Sequence, residues 1–245
     1  ARNNLGIALL RRGVAEMATG RDPSESLEMA LSSFAEAVEI NPNYAYAHTN
    51  IGFVHHVRAR YAFFNGDDPT SAIIAARAAF ANGTAINPGI AWSFPEQAQV
   101  ELLEARWAMR TGRSPAVALD RADRTVARAL ELNRHSPEAW LAAAQAELQR
   151  ARWGVDRGRP AFEAIGSGLD HAEAALALNP GSAEARLVRA ALLFERAASS
   201  GPGARRERIA AGAEALLDEA VSVNPFLDND AAEIRARARS FSADR

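Results

Sequence analysis

Five asparagines, Asn41, Asn87, Asn133, Asn179 and Asn224, recur at intervals of 46, 46, 46 and 45 residues, and proline follows four of them. A fixed period of this size marks a stacked-repeat architecture, in which each unit buries its apolar face only against its neighbours. Half a repeat away, Gly20, Gly66, Gly112 and Gly158 are again 46 apart, and the first three open Gly-Arg-Asp-Pro, Gly-Asp-Asp-Pro and Gly-Arg-Ser-Pro. Each repeat therefore carries two turns. The period divides the chain into repeats at about 1–42, 43–88, 89–134, 135–180 and 181–225, with a capping segment over 226–245.

Residues 43–88 show what one repeat contains. A helical stretch from about Ala45 to Phe64 runs into Asn65-Gly66-Asp67-Asp68-Pro69, a turn by composition, with Pro69 placed to open the next helix. The second helix runs to about Ile86 and stops at Asn87-Pro88, because a residue before proline is pushed out of the α region. The 48% hydrophobic content is mostly alanine and leucine, with only 7% aromatic residues, which suits helices rather than strands. The expected fold is all-α: one right-handed α-solenoid of five antiparallel helix pairs, with a capping helix from about Asp228 to Phe241 whose Arg235, Arg237 and Arg239 supply a polar end.

The net charge of −2 gives no field that would draw the chain to nucleic acid or an anionic membrane. All 28 cationic side chains are arginine, which we read as the coding bias of a GC-rich genome. There is no cysteine, so disulfide, thiolate and Cys-zinc chemistry are excluded. No apolar run reaches the ~18 residues of a membrane span, and no signal peptide is visible. Ala1 already lies in a helical pattern with no Met before it, so we expect a segment of a longer protein.

The spacing Ala-x3-Phe-x2-Ala-x4-Pro at Ala30, Phe34, Ala37 and Pro42 resembles the second half of a tetratricopeptide (TPR) repeat, and Leu5-Gly6 and Ile51-Gly52 match its Leu-Gly pair. The match recurs at Ala76, Phe80, Gly83 and Pro88, at Ala122, Val126 and Ala129, and at Ala213, Leu217, Ala220 and Pro225, while Gly52 becomes Ala98, Ala144 and Ala190. TPR units have about 34 residues, so these repeats are a long-helix variant. Long-helix arrays with Gly-Arg-Asp-Pro turns and Asn-Pro ends look like those of some bacterial serine/threonine protein kinases, although no phosphate loop, His-Arg-Asp or Asp-Phe-Gly motif is present here.

The resemblance implies a protein-interaction scaffold, placed in the cytoplasm as part of a larger signalling protein, with a partner segment lying along the concave side of the first helices. The alternative is a self-association module that joins copies of the parent protein. Helical phase at about 100° per residue, counted from the small packed residue, places the groove positions. They are Tyr46, Thr49, Phe53, His56 and Arg60, then Trp92, Pro95, Gln99, Leu102 and Arg106, then Glu138, Leu141, Gln145, Leu148 and Arg152. Arg60, Arg106 and Arg152 are 46 apart, and guanidinium forks suit carboxylates or phosphates, so an acidic or phosphorylated peptide is the expected partner. Trp92 is the aromatic expected to bind. Tyr61, Trp107 and Trp153 form a second row expected to pack, and Trp140 is expected in the core.

The chaperone-adaptor carboxylate clamp needs Lys and Asn where this chain has Asn3 and Ile7, so that mode is absent. His48, His55, His56, Glu101 and Glu147 lack the spacing of a metal site, and Asp67-Asp68 and Asp120 read as turn and surface carboxylates. No cofactor, metal or catalytic group is expected. Arg58, Glu104 and Arg150 occupy equivalent positions with alternating charge, which predicts Arg58–Glu104 and Glu104–Arg150 contacts between successive first helices, with Glu101 and Glu147 in the same seam.

Overall fold

The structure is a computed structural model and describes residues 1–201 and 203–243; the expected capping segment thus extends two residues, Asp244 and Arg245, beyond the described ones. Among the described residues there are eleven α-helices and no strand: α1 (Arg2–Ala18), α2 (Ser24–Ile40), α3 (Ala45–Asn65), α4 (Thr70–Ile86), α5 (Ser93–Arg110), α6 (Ala116–Leu132), α7 (Pro137–Val155), α8 (Phe162–Leu178), α9 (Ala183–Ala198), α10 (Ala204–Val223) and α11 (Asp228–Ala243). A 3-10 turn at Pro225–Leu227 precedes α11.

The periodic residues define the helix ends. Asn41, Asn87, Asn133, Asn179 and Asn224 all close a second helix, and the side-chain oxygen of each accepts a backbone N–H two residues on, at 3.0–3.2 Å. This local bond offers the backbone an alternative to the helical ladder, and after every one of these asparagines but Asn133 a proline also forbids another turn. Gly20, Gly66, Gly112 and Gly158 end the first helices with φ between +62° and +86°, and no atom lies within 4 Å of a Cβ built there. Left-handed backbone, not crowding, therefore accounts for that glycine period. Asp22 and Asp68 follow these glycines and accept from the first N–H groups of α2 and α4, at 2.9 Å in each case.

The described residues group into two compact units, 1–114 and 115–245. In the first, α1 packs on α2 and α3 on α4, while α3 also lies against α1 and α2, and α5 against α3 and α4. Gly52 exists because of close approach: a Cβ there would meet the Phe80 ring at 2.8 Å. Phe80, Ile73 and Phe63 form one core layer with Val100 and Leu103 of α5, and Phe34 and Leu27 form another with Val54 and Val57 of α3. In the second unit α7 pairs with α8 and α9 with α10, α9 lies against α7 and α8, and α11 packs on α9 and α10. One core of this unit joins Leu192, Val188, Phe194, Leu217 and Ile234.

The charged seam differs from expectation. Arg58 pairs with Glu28 on α2, the second helix of the preceding repeat, and not with Glu104. Glu104 and Glu101 meet Arg77 of α4, Glu101 at 2.8 Å. In the second unit Arg150 meets Asp123 of α6 and, at 2.9 Å, Glu147, and Arg235 of α11 meets Glu214 and Asp218 of α10. The alternating sign along the first helices thus complements the second helix before each of them. That helix is the one on which the next first helix packs.

Candidate functional site

In the first unit α3 and the entry to α5 bring three of the groove-phase residues together. The loop after Asn87 ends at Trp92, which caps α5, and it lays the indole parallel to the Tyr46 ring, with centroids 6.0 Å apart and planes 10° off parallel. On the same indole Phe53 stacks at 5.6 Å and 21°. Tyr44 meets Tyr46 edge-on at 6.1 Å, and Phe53 turns its edge to Phe80 of the core at 5.5 Å. The row is rooted in the core by Phe53 and open at its other end: Tyr46 is 45% and Trp92 47% exposed.

Other groove-phase positions are filled. Thr49 and His56 on α3, Pro95 and Leu102 on α5 and Leu148 on α7 are buried, because successive first helices within a unit pack side by side and cover part of the face that helical phase assigned to the groove. Gln99, Leu141 and Gln145 are partly covered. Glu138 is exposed and accepts from the Ser136 hydroxyl at 3.0 Å. His56 donates from Nδ1 to Glu96 at 3.3 Å. Burial would raise the Glu96 carboxyl, but the His56 hydrogen bond and charge, helped by Arg60, outweigh it and hold Glu96 below the usual carboxylate range.

The three groove-phase arginines occupy three different settings. Arg60 is partly buried and acts on Glu96 by charge. Arg106 lies over the Phe63 ring at 4.8 Å, beside Arg110, whose guanidinium is 4.2 Å from Phe63 and 4.5 Å from Trp107 and donates to the Phe63 carbonyl at 2.8 Å. In the second unit Arg152 is 3.6 Å from the carboxylate of Glu195, a side chain only 2% exposed that also takes Arg237 of α11.

Of the expected packing aromatics, Trp107 meets Phe63 edge-on at 6.4 Å, Tyr61 is among the groups that hold the Asp22 carboxyl below its ordinary value, and Trp153 lies under the Arg157 guanidinium. Trp140 is half-buried rather than core, its ring 5.5 Å from His171 and its indole N–H donating to the Arg134 carbonyl at 3.2 Å. Asn3 accepts from Asn50 at 2.9 Å in a buried pair. His48 meets the Pro42 carbonyl, and burial holds His55 below its ordinary value. Among the described residues no three His, Asp or Glu side chains converge as a metal site, and no helix is long and apolar enough to cross a membrane. Sequence reasoning missed Glu96 and Glu195. The first could have been found from its place one turn beyond Trp92; the second stands where equivalent repeats carry Val57, Leu103 and Gln149.

No protein-family profile and no curated protein matches the chain. Among solved structures, TTC0263, a thermophilic TPR protein of Thermus thermophilus, superposes over 97% of this chain and 99% of its own, with a TM-score of 0.58 and 20% identity. The fold is that of a TPR protein. YrrB, described as a TPR protein with an unusual peptide-binding site, is 18% identical over 95% of this chain and 92% of its own, with a TM-score of 0.45. Among the first helices, α3 has 21 residues and α7 has 19.

Proposed function

We propose that the chain is a protein-interaction scaffold that takes an extended partner segment on the aromatic row of its first helices. The observation that carries this reading is the pair Tyr46 and Trp92, two large rings stacked on one another and each left about half exposed. Tyr and Trp are enriched at the centres of interfaces, where one ring supplies a large contact area at small cost in rotamer freedom. A rigid helical frame behind the row adds preorganisation, so little further entropy is lost on binding. The spacing of Arg60, Arg106 and Arg152 is what suggested an acidic or phosphorylated partner, but Arg60 acts on Glu96 and Arg106 and Arg152 have aromatic and acidic neighbours of their own, so that preference does not carry the reading. The Gly-Arg-Asp-Pro turns and Asn-Pro ends support a place in a larger bacterial signalling protein.

Selection of a displayed random-peptide library tests the scaffold reading. Peptides retained by the wild-type chain are expected to be lost from a Tyr46→Ala/Trp92→Ala chain of unchanged helicity; equal retention by both would remove the row from the function. Self-association is the second reading, favoured by exposed Ile40, Val117, Phe162 and Phe226, which are 65–77% exposed. Sedimentation at several concentrations separates the two, because only self-association makes the mass rise with concentration.

A further inference from the structure

The same two helices, α3 and α5, carry two aromatic groups in opposite electrostatic states. Near the C-terminal ends of these helices, Phe63 and Trp107 are covered by the guanidinium groups of Arg106 and Arg110 at 4.2–4.8 Å. Near the N-terminal ends, among the described residues no guanidinium lies over Tyr46, Phe53 or Trp92. Ring faces carry the negative end of the aromatic quadrupole and attract cations, arginine above all.

An anion stands beside the open group. Glu96 lies in the first turn of α5, four residues after Trp92, which caps that helix with helical backbone angles and so starts from the same face. Its side chain is 31% exposed, and one oxygen accepts from His56. His56 itself follows Phe53 on α3, which puts the carboxylate at the Phe53 and Trp92 end of the row. Arg60 lies a turn beyond His56, on the side away from the rings. Electron-rich faces next to a partly exposed carboxylate are the complement of a planar cation.

We propose that the Tyr46–Trp92–Phe53 row is a docking site for an arginine side chain carried by an extended protein segment, with Glu96 as the counter-charge. This rests on the scaffold reading and deepens it: the partner segment is basic at the residue that meets the row. The guanidinium stacks on Trp92 or Tyr46 and turns its N–H edge to the Glu96 carboxylate, as Arg110 stacks on Phe63 and Trp107 while donating to a carbonyl. Glu96 beside the rings thus sets this end of the wall against the acidic preference that the arginine spacing suggests.

Fluorescence anisotropy with four labelled 12-residue peptides tests the proposal: Gly-Ser-Arg repeats, and the same peptide with citrulline, Glu or Pro in place of Arg. Citrulline keeps the shape of arginine and removes its charge. The Arg peptide is expected to bind about tenfold tighter than the citrulline peptide. Trp92→Ala should abolish that advantage, and Glu96→Gln should reduce it a few-fold and flatten its salt dependence. Trp92→Leu serves as the second variant, with circular dichroism confirming that both are folded. An Arg peptide that binds no tighter than its citrulline form, or one indifferent to both Trp92 substitutions, overturns the proposal. If the Glu or Pro peptide instead binds in a Trp92-dependent way, the row remains a peptide site and only its cationic preference is lost. If no peptide senses Trp92, the scaffold reading of the row falls with it.

Discussion

Phe63 and Trp92 are both large aromatics on the α3–α5 wall, yet one is a stability element and the other is left over. Phe63 is 7% exposed, packs with Ile73, Val100 and Leu103, and is capped by two guanidinium groups. Trp92 is 47% exposed, meets the core through Phe53, and has no cation above it among the described residues. The difference shows that an aromatic–arginine pairing can be completed inside the chain, where it holds two helices together, or left half-made, where another molecule has to complete it.

Substitutions can break this contrast. Phe63→Ala should cost about 3–5 kcal/mol, the range for a buried aromatic that leaves a cavity, measured as a fall in the denaturant midpoint. Trp92→Ala should cost only about 1–2 kcal/mol, the worth of its two ring contacts; a loss as large as that of Phe63→Ala would make the row a packing element. Arg110→Ala removes a hydrogen bond to a backbone carbonyl and the cover of two rings, and about 1 kcal/mol is expected. It should leave peptide binding unchanged, because the Arg110 end of the wall is already complete.

The smallest effect is one of pH. Glu96 is held below its ordinary value in the folded chain, so its contribution is present above the unfolded value of about 4.3 and is lost as pH falls through the folded one. Thermal melts should therefore show stability dropping on the acid side of the ordinary carboxylate range. Glu96→Gln should remove that part of the drop. An identical acid profile in wild type and variant would mean that the His56–Glu96 bond is not formed in solution.

Much of the fold was legible in the sequence because each boundary residue acts locally. Asn87 bonds its own backbone two residues on, Gly66 adopts a left-handed φ, and neither depends on distant packing. α3 and α4 therefore stand within about a residue of where the turns placed them. The site was less legible because helical phase says which side of one helix is apolar, but not how far a neighbouring helix covers it. Thr49, His56, Leu102 and Leu148 share the phase of Tyr46 and are buried for that reason. Trp92 precedes the first residue of α5, so its position was set by the loop geometry after Asn87 rather than by a wheel. The seam charges were assigned to the wrong neighbour because equal spacing along the first helices suggests that they meet one another, whereas Arg58 lies against Glu28 of the helix before.

That seam has a consequence for how the gene can change. Arg58 answers an acid on the preceding helix, whereas Glu104 answers an arginine. An extra tandem copy of α3–α4 would end one copy on Arg77 and begin the next on Arg58. Cation would then face cation at a partly buried junction, and Arg77 would lose both carboxylates that it holds at present. Neighbouring modules in this chain are thus keyed to one another, so copying one of them in place would create a mismatched join. Lengthening the chain by duplication would require a compensating charge reversal at the new joint before the added copy could settle.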